Sequence, residues 1–573
     1  MHRLRHGLWL VGRYFVSQEA VVAVPLLLLA IGIQFGSVYT LVLSTEFDKI
    51  LFDVIGARDG SRLPLVMIEY VAVLSLVSAV AAVSEYVRGV LTIRWRRWLA
   101  EDYAGRWLSR ERFYAIERGT LVENPDQRMS EDVRIFVEGA LLFFLSGLGV
   151  IASVISFSVV LWHLSQPIDL HHIGIPLRIP GDMVWYSILY TAICTYLLFR
   201  FGKPLIRRNM AQQHYEADYR YKLVQLRRNA EQIALARLGK AEWGRLVSLY
   251  ESVKRNYMGL IMVQMVIAVV TQISFNFKSV LPILITAPRY FSGIITMGDV
   301  MQARSGFVQL SAALSWPIQS YATLAQTLSA INRLYLLDQM IERADHPGVI
   351  VRHGETSDGA IRVSNLALAL PDGRPLAPVG DWTIAGGSRW VVRGRSGVGK
   401  STLLRAIAGI WPEGAGEIAL PRDARVMFLP QRPYLGNGSL RAILAFPEEE
   451  QHFTTEACRD ALERAALGTF AGRLDEGAPW SETMSPGEQQ RLGFARVLLH
   501  RPTHLFLDEA TSALDPETAR AAYALLGDLP GLTLVSIVHS DALDTFHDHI
   551  LVIGEAGGAR AAALPSPRDT TIS

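Results

Sequence analysis

Several apolar segments in the first half of the chain are long enough to cross a lipid bilayer. A membrane-spanning helix needs about 20 mostly apolar residues, because it rises about 1.5 Å per residue and the hydrocarbon layer is roughly 30 Å thick. Buried helices of soluble proteins rarely combine this length with so few charges, so the sequence predicts an α-helical transmembrane domain with six spans. The segments are residues 21–43, 63–91, 139–164, 183–199 and 257–287, with a weaker, more polar sixth at 296–337.

Residues 1–20 precede the first span and are predicted to form an interfacial elbow helix. Arg13 interrupts the short apolar run that a signal peptide would need, and no small-residue cleavage site precedes the first span. We expect Trp9, Tyr14 and Phe15 at the level of the lipid headgroups, where amphipathic rings are favoured.

The connections between spans predict the orientation of the chain. Arginine is concentrated between the second and third spans, and residues 202–256, between the fourth and fifth, are also rich in Arg and Lys. The positive-inside bias places both stretches, both termini and the second half of the chain in the cytoplasm. Both stretches are helix-permissive, which predicts helical extensions below the membrane. The arginines of the first stretch are Arg94, Arg96, Arg97, Arg106, Arg110, Arg112, Arg118, Arg128 and Arg134.

The pattern changes after a polar segment, residues 337–359, which is broken by Pro and Gly and is predicted to be a linker. Residues 360–557 alternate short apolar runs with helical stretches, which is typical of a parallel α/β sheet. Residues 558–573 are rich in Ala, Pro, Ser and Thr and are predicted to be a disordered tail. Only two cysteines occur, in different predicted domains, so neither a disulfide framework nor a cysteine metal site is expected.

A glycine-rich loop in the second half matches the phosphate-binding pattern G-x4-G-K-S. Its glycines allow backbone N–H groups to converge on phosphates, Lys400 reaches the β- and γ-phosphates, and Ser401 coordinates Mg²⁺. A predicted strand enters the loop and a predicted helix leaves it, so a plain glycine turn is disfavoured. The nucleotide-contacting residues predicted here are Gly394, Arg395, Ser396, Gly397, Val398, Gly399, Lys400, Ser401 and Thr402.

Two consecutive carboxylates end a later buried strand, in the segment LFLDEATSALD. Asp508 is placed to act on Mg²⁺ through water, and Glu509 is placed to polarise a water that attacks the γ-phosphate. A simple helix cap does not explain why both acids follow the same buried strand.

Together with these motifs, the sequence resembles the ATP-binding cassette (ABC) family. MSPGEQQR is similar to the family signature, with Ser485 and Gly487 at phosphate-contacting positions and Glu488 where many members have Gln. Gln431 lies at the Q-loop position, as a ligand of Mg²⁺ and water, and His539 at the position of the switch histidine. The resemblance implies an ATP hydrolase coupled to transport, with ATP and Mg²⁺ bound between two cassettes.

One cassette and six spans correspond to half a transporter, so the resemblance implies a dimer in which Ser485 and Gly487 act in trans. A homodimer with two equivalent sites is the simplest assembly, because nothing in the chain marks its motifs as degenerate. An ATP-gated channel or sensor built from the same parts is left open, whereas a soluble DNA-repair ATPase is disfavoured by the spans. No nucleic-acid partner is expected, because the basic residues form no single stripe.

One departure from the family pattern narrows the resemblance. Leu370 stands where an adenine-stacking aromatic is expected, as in the peroxisomal subfamily D and its bacterial relatives. Residues 123–133 and 216–235 are also similar to elements of that branch. The bacterial SbmA/BacA-like members handle cobalamin, antimicrobial peptides or bleomycin-like solutes, which implies a hydrophilic solute, import and a bacterial inner membrane. Acyl-CoA or lipid transport, as in the peroxisomal members, is the alternative.

Charged residues inside the predicted spans are expected to face the interior of the bundle, since each costs roughly 2.5–3.5 kcal/mol near the bilayer centre. Glu69 and Lys278 are candidates for a hydrated cavity, together with Gln272 and Asn276, or for structural pairing. For Glu85 and Arg88 we expect structural pairing or a position beyond the hydrocarbon.

Overall fold

The computed structural model describes residues 2–118, 124–169, 178–344, 350–356, 358–554 and 558–564. The chain divides into two compact units. The membrane unit comprises Met1–Ala104 and Asp126–Leu336, and the nucleotide unit comprises Gly105–Pro125 and Leu337–Ser573. The boundary therefore assigns part of the arginine-rich connection between the second and third spans to the nucleotide unit.

The first eleven helices and one short hairpin precede the nucleotide-binding half of the chain. A single 3₁₀ turn occupies Ser109–Glu111, and a π-helical turn occupies Arg128–Asp132. The elements are α1 (His2–Val16), α2 (Ala20–Gly56), α3 (Leu63–Leu108), α4 (Arg112–Arg118), α5 (Pro125–Gln127), α6 (Val133–Leu164), β1 (Ile168–Asp169), β2 (Arg178–Ile179), α7 (Asp182–Arg228), α8 (Ala230–Leu235), α9 (Gly239–Phe291), α10 (Met297–Gln319) and α11 (Tyr321–Arg343).

Five helices among the described residues are long and apolar enough to span a membrane, and they coincide with the five stronger predicted segments. The weaker sixth segment is helical, but it is divided into α10 and α11 at Ser320, three residues after Pro317. The predicted cytoplasmic extensions are continuous with the spans: α7 has 47 residues and α9 has 53. At about 1.5 Å per residue these helices are roughly 70–80 Å long, more than twice the hydrocarbon thickness.

Small residues allow close helix packing inside the membrane unit. A Cβ on Gly139 of α6 would lie 2.1 Å from Oγ1 of Thr327 in α11, so only glycine permits this approach. Gly306 of α10 similarly packs against Leu161 of α6. Phe157 and Phe307 are fully buried in the core formed by α6, α7 and α10.

The segment predicted to form an interfacial helix is helical, as α1. Tyr14 is fully buried and stacks on Trp95 of α3, with 5.3 Å between ring centroids, whereas Trp9 is about half exposed. The position of these rings at the headgroup level stays a prediction. Arg13 forms a salt bridge of 2.8 Å with Asp102, which anchors α1 to α3. Tyr14 is buried because Trp95 offers an aromatic partner that sequence periodicity does not reveal.

The nucleotide unit contains the remaining strands and helices. Single 3₁₀ turns occupy Glu450–His452, Gly468–Arg473, Leu526–Asp528 and Asp541–Phe546. The elements are β3 (Ile350–Thr356), β4 (Ile361–Leu368), β5 (Gly380–Ile384), β6 (Arg389–Arg393), α12 (Lys400–Ile407), β7 (Gly414–Pro421), β8 (Val426–Leu429), β9 (Gly438–Ser439), α13 (Leu440–Ala445), α14 (Thr455–Arg464), β10 (Gly477–Ala478), α15 (Trp480–Thr483), α16 (Pro486–His500), β11 (His504–Asp508), α17 (Pro516–Leu525), β12 (Thr533–Ile537), β13 (His549–Gly554) and β14 (Gly558–Ala563).

A six-stranded sheet forms the centre of this unit, in the order β14-β13-β6-β12-β11-β8. Of its five strand pairings, four are parallel and the edge pair β13–β14 is antiparallel. The predicted strands around the glycine loop and the two carboxylates are β6, β8, β11 and β12. A second sheet, in the order β3-β7-β4-β5, is mixed.

Two predicted boundaries of this half are wrong. Residues 337–359 are not only a linker, because α11 continues to Arg343 and β3 pairs in parallel with β7. Residues 558–563 are not disordered, because β14 pairs along its whole length with β13. Both strands lie at sheet edges. An edge strand is held by backbone pairing with one neighbour and lacks the continuous apolar sequence that marks a central strand, so the sequence did not predict it. The rest of the predicted tail, residues 565–573, lies outside the described residues.

We expect Gly416→Ala to destabilise the nucleotide unit. Gly416 in β7 has a φ of +126°, and an added Cβ would lie 2.8 Å from Cα of Leu366, which is backbone and cannot move aside. Backbone strain of this kind costs about 1–3 kcal/mol, or roughly 2–4 °C in the unfolding temperature per kcal/mol for a domain of this size. Differential scanning fluorimetry measures the shift. Gly472→Ala is the control, because no atom lies within 4 Å of its added Cβ; equal melting temperatures for both variants would contradict the prediction.

Candidate nucleotide-binding site

The glycine-rich loop lies between β6 and α12, as the sequence predicts. Gly394, Gly397 and Gly399 have φ values of 153°, 80° and 110°, in the region that favours glycine. Gly399 is the N-cap of α12, so the loop ends at the positive end of a helix. The loop therefore has the backbone conformation that a phosphate-binding loop requires.

Lys400 is folded over this loop and is almost completely buried. Its Nζ donates to the carbonyl oxygens of Gly394, at 2.8 Å, and Arg395, at 3.1 Å. A buried ammonium that is held only by neutral carbonyls, beside a helix N-terminus, has a strong preference for an anion. The cradle thus fits the β- and γ-phosphates of a nucleotide.

The donor set for a magnesium ion lies next to the loop. Oγ of Ser401 donates to Oδ1 of Asp508 at the end of β11, at 2.8 Å. Burial raises the pKa of the Asp508 carboxyl, and the Ser401 hydrogen bond and the charge of Arg405 oppose this shift. A hydroxyl and a carboxylate at hydrogen-bond distance are the hard oxygen ligands that Mg²⁺ uses beside phosphates. Ser401 and Asp508, two of the three residues predicted to bind magnesium, therefore fit the ion, whereas the side chain of Gln431 approaches Glu509 and Ser512.

Glu509 and His539 are in direct contact. Nε2 of His539 lies 2.8 Å from Oε1 of Glu509, and Nε2 of Gln431 approaches Oε2 of Glu509 at 3.5 Å. Glu509 has a φ of +53°, an uncommon conformation for a non-glycine residue that is held by a hydrogen bond from its N–H to Ile537. The carboxylate that was predicted to polarise water is therefore oriented from both sides by predicted site residues.

Gln490 connects these residues to the signature helix α16, and sequence reasoning missed it. Its Nε2 donates to the carbonyl of Gln431 and to Oγ of Ser512, both at 3.0 Å, and its Oε1 accepts from the N–H of Ala513 at 2.9 Å. The side chain is buried. Gln490 lies two positions after Glu488, at a position to which no motif assigned a role. Only the orientation of α16 in the fold could have indicated its contacts.

Arg393 is a second residue that the sequence did not reveal. Its guanidinium donates to the carbonyl oxygens of His539 and Ser540, both at 3.1 Å, and pairs with Asp544 at 2.6 Å. Arg393 ends β6 and the backbone of His539 follows β12, so this contact fixes the switch-histidine segment against the strand that leads into the phosphate loop.

The signature residues are placed at the N-terminus of α16. Oε2 of Glu488 accepts hydrogen bonds from the backbone N–H and the hydroxyl of Ser485, both at 2.8 Å, and the N–H of Glu488 returns one to Ser485. These bonds hold the pKa of Glu488 below its usual range. Glu488 therefore closes a capping box, and the nucleotide contact predicted for it stays a prediction.

The signature does not meet the phosphate loop within one chain. In the described part of the molecule, neither Ser485 nor Gly487 hydrogen-bonds to the loop around Lys400. The predicted residues thus form two groups: Lys400, Ser401, Asp508, Glu509 and His539 with Gln431, and separately the N-terminus of α16.

The turn that carries Leu370 is tied to Trp411. Nε1 of Trp411 donates to the carbonyl of Ala369 at 3.0 Å, and Trp411 is buried. Leu376 packs beside the phosphate loop, since a Cβ on Gly399 would lie 3.1 Å from its Cδ1. Leucine side chains therefore occupy this turn, in agreement with the missing aromatic residue.

Comparison with protein families agrees with this arrangement. Residues 10–291 match the model for ABC transporter transmembrane region 2, and residues 380–512 match the model for ABC transporters. An uncharacterized ABC transporter ATP-binding protein of Synechocystis sp. is 34% identical over 82% of this chain and 71% of its own length. The human lysosomal cobalamin transporter ABCD4 is 26% identical over 95% of this chain and 93% of its own.

The fold also has a solved counterpart. The structure of a bacterial Atm1-family ABC exporter with ATP bound matches with a TM-score of 0.69, over 96% of each chain and at 18% identity. At this identity the match concerns the fold alone, and it covers both halves of the chain.

We expect Gln490→Met to slow hydrolysis and to leave nucleotide affinity nearly unchanged. The variant keeps the side-chain length but leaves the Gln431 carbonyl and the Ala513 N–H without this partner, at about 1–3 kcal/mol for each group. Each 1.4 kcal/mol that is lost from the transition state lowers kcat about tenfold. Steady-state kinetics and nucleotide titration measure the two quantities, with exposed Gln451→Met as control. Unchanged kcat, or a parallel loss of affinity, would contradict this role of Gln490.

Proposed function

Because the chain belongs to the ABC transporter family, in which ATP hydrolysis is coupled to transport, we propose that it is one half of a homodimeric transporter that moves a hydrophilic solute across a membrane. One observation carries the dimer: the phosphate-binding group and the signature residues are each well formed but do not meet within one chain. A second copy brings the N-terminus of α16, with Ser485 and Gly487, to the nucleotide of the first.

Each residue of the phosphate-binding group has a chemical role in this proposal. Lys400 and the backbone N–H groups after Gly394 would bind the phosphates. Ser401 and Asp508, with Gln431, would hold a magnesium ion, whose charge would offset that of the phosphates. Glu509 orients the attacking water and accepts its proton, since no Lys or Arg of the described residues pairs with its carboxylate and His539 aligns it. His539 donates toward the γ-phosphate when nucleotide is bound.

A charged cavity supports a hydrophilic solute. A cavity of about 830 Å³ lies in the membrane unit between α3, α6 and α11, and its walls carry salt bridges. Arg88 pairs with Glu85 at 2.5 Å and Arg134 with Glu138 at 3.1 Å, which confirms the pairing expected for Glu85 and Arg88. Arg96 also lines it and has no hydrogen bond or ion pair within the described residues. Charged walls of this kind suit a polar solute. An acyl chain would gain little free energy by entering this cavity, because its apolar surface would remain next to water and charged groups.

The two other charged candidates do not line this cavity. Glu69 is exposed on α3, and Lys278 is half-buried on α9, close to Cys194. Gln272 and Asn276 are exposed and hydrogen-bonded to each other at 3.3 Å. Their contact with a solute in the dimer stays a prediction.

We propose cobalamin or a short peptide as the solute, imported across a bacterial inner membrane toward the nucleotide unit. The similarity to a cobalamin transporter and the charged walls support this class. The two arginine-rich stretches support a cytoplasmic position for both termini and for the nucleotide unit.

We propose that Arg118 transmits the effect of nucleotide binding from the turn at Leu370 to α4. It ends α4, in the segment that clusters with the nucleotide unit, and its guanidinium lies 3.8 Å from the ring centroid of Trp411. It also forms an ion pair with Glu413. Trp411 hydrogen-bonds to the turn that carries Leu370. A movement of this turn would therefore displace Trp411 and the Arg118 guanidinium that stacks on it, and with them α4.

We expect Glu509→Gln to abolish hydrolysis and solute uptake and to stabilise an ATP-bound closed dimer. The amide keeps the size and the contact with His539 but cannot accept the proton from water. Labelled cobalamin and a labelled cationic peptide are offered to a transporter-deficient cell that expresses the wild type or the variant, and the purified dimer is followed by size-exclusion chromatography.

Lys400→Ala is the control, because it should lose ATP affinity and therefore never form the closed dimer. Uptake of neither solute by the wild type, or faster uptake of an acyl-CoA, would contradict the proposed substrate class. A variant that stays monomeric in nanodiscs with magnesium nucleotide would contradict the dimer. Single-channel conductance in place of slow uptake would indicate a channel.

We expect Arg118→Gln to separate hydrolysis from transport. The change removes both the stacked cation and its ion pair, whereas the phosphate-binding residues stay in place, so ATP hydrolysis continues while solute uptake per ATP falls several-fold. Arg118→Lys should recover only part of the uptake, because an ammonium does not stack as a planar guanidinium does. Glu117→Gln, an exposed change on the same helix, is the control. Equal loss of hydrolysis and uptake would argue against this role.

A further inference from the structure

A second cavity in the membrane unit has the opposite character. It has a volume of about 570 Å³ and lies beneath α1, bordered by α2, α3, α6 and α11. Its lining is almost wholly apolar and includes Leu8, Phe15, Leu27, Trp95, Phe144 and Leu328. The cavity is open on one side, since Leu8, Phe144 and Leu328 are partly exposed, and a concave apolar surface of this size is typical of a ligand site.

Water is a poor occupant of this cavity. Apolar cavities stay dry, because a water molecule needs two to four polar partners, and an empty void forfeits dispersion contacts on every wall. The cavity opens between α1 and the membrane spans, so hydrocarbon from the bilayer is the available occupant. Leu8 on α1 is 72% exposed, so the apolar surface extends from the cavity to the outside of the helix.

Two buried donors lie at the same place. Trp95 lines the cavity, and Tyr14 stacks on the Trp95 ring. Nε1 of Trp95 and the hydroxyl of Tyr14 have no hydrogen-bond partner within the described residues, and both atoms are shielded, so a bound acceptor reaches them only when the Trp95 ring shifts. Both side chains are at least 99% buried. Buried Trp and Tyr usually find an acceptor for these groups. An acyl ester or a phosphate supplies acceptors, whereas a plain hydrocarbon or a leucine side chain does not.

Positive charge is available where a lipid headgroup would lie. Arg5 on α1 is exposed and makes no hydrogen bond or ion pair within the described residues. The end of α3 next to α1 carries Arg94 and Arg97, which bridge to Glu19 at 3.3 Å and Glu101 at 2.8 Å. An exposed arginine at the membrane surface attracts anionic lipid, at about 1 kcal/mol per basic residue.

We propose that this cavity binds one acyl chain of an anionic glycerophospholipid, with its ester oxygens near Trp95 and its phosphate near Arg5. The lipid fills the space that the protein leaves between α1 and the spans, and it fixes the interfacial helix to α6 and α11. This site is distinct from the charged cavity proposed for the solute, since the two have no lining residue in common.

The test uses the full-length dimer in nanodiscs that contain a phosphatidylglycerol with a photoreactive diazirine on one acyl chain. Mass spectrometry after illumination should find the label concentrated in the cavity segments of α6 and α11, residues 136–144 and 324–331. Ala140→Phe places a ring in the cavity and should lower this labelling about tenfold, which corresponds to the loss of about two buried methylenes. Ala152→Phe, on α6 but outside the cavity, should leave it unchanged.

Two further arms separate the alternatives. Arg5→Gln should lower the preference for phosphatidylglycerol over phosphatidylcholine about fivefold. Labelling that is spread over all spans, or equal labelling in the Ala140 and Ala152 variants, would overturn the site. Displacement of the probe by a free fatty acid but not by unlabelled phosphatidylglycerol would overturn the lipid assignment. If Ala140→Phe does not elute as a folded dimer, the smaller change Ala140→Leu takes its place, with an intermediate loss expected.

Discussion

Parallel pairing of three strands determines where the chemistry of this molecule lies. β12 is hydrogen-bonded to β6 on one side and to β11 on the other, in a register that places Ile537 opposite both Val392 and Asp508. Parallel strands end at the same edge of a sheet. The strand register alone therefore brings together the phosphate loop after β6, the two carboxylates after β11 and His539 after β12, whatever their side chains contact. The buried centres of these strands, such as Phe506 and Val535, hold that register.

Hydrogen bonds then join this edge to neighbouring segments. Gln490 connects the signature helix to Gln431 and to the loop at Ser512, and Arg393 secures the backbone at His539. Under the proposed function, a change in the position of the γ-phosphate would act on this connected set of groups instead of on one side chain. Arg118 and Trp411 extend the set to the turn at Leu370, within the same compact unit.

The parts that sequence predicted are those with local causes. Span length, the glycine loop and the strand ahead of Asp508 are encoded in consecutive residues, and each of these elements is present. The parts that it missed depend on distant partners: Tyr14 is buried because Trp95 is there to receive it, and β14 exists because β13 offers an edge. Gln490 and Arg393 belong to no sequence pattern. The role of a buried glutamine or of an arginine at the end of a strand depends on the carbonyl groups that it contacts, and these are distant in sequence.

The membrane unit uses adjacent residues on the same helices to build two cavities of opposite polarity. Trp95 and Arg96 are neighbours in α3, yet the first lines the apolar cavity and the second the charged one. Phe136 and Ile135 in α6, and Leu328 and Ser329 in α11, divide in the same way. Consecutive helical residues lie about 100° apart, so three helices packed side by side separate a polar space from an apolar one. A polar solute and a lipid chain can then occupy the same unit without competing, because each wall rejects the other ligand through desolvation.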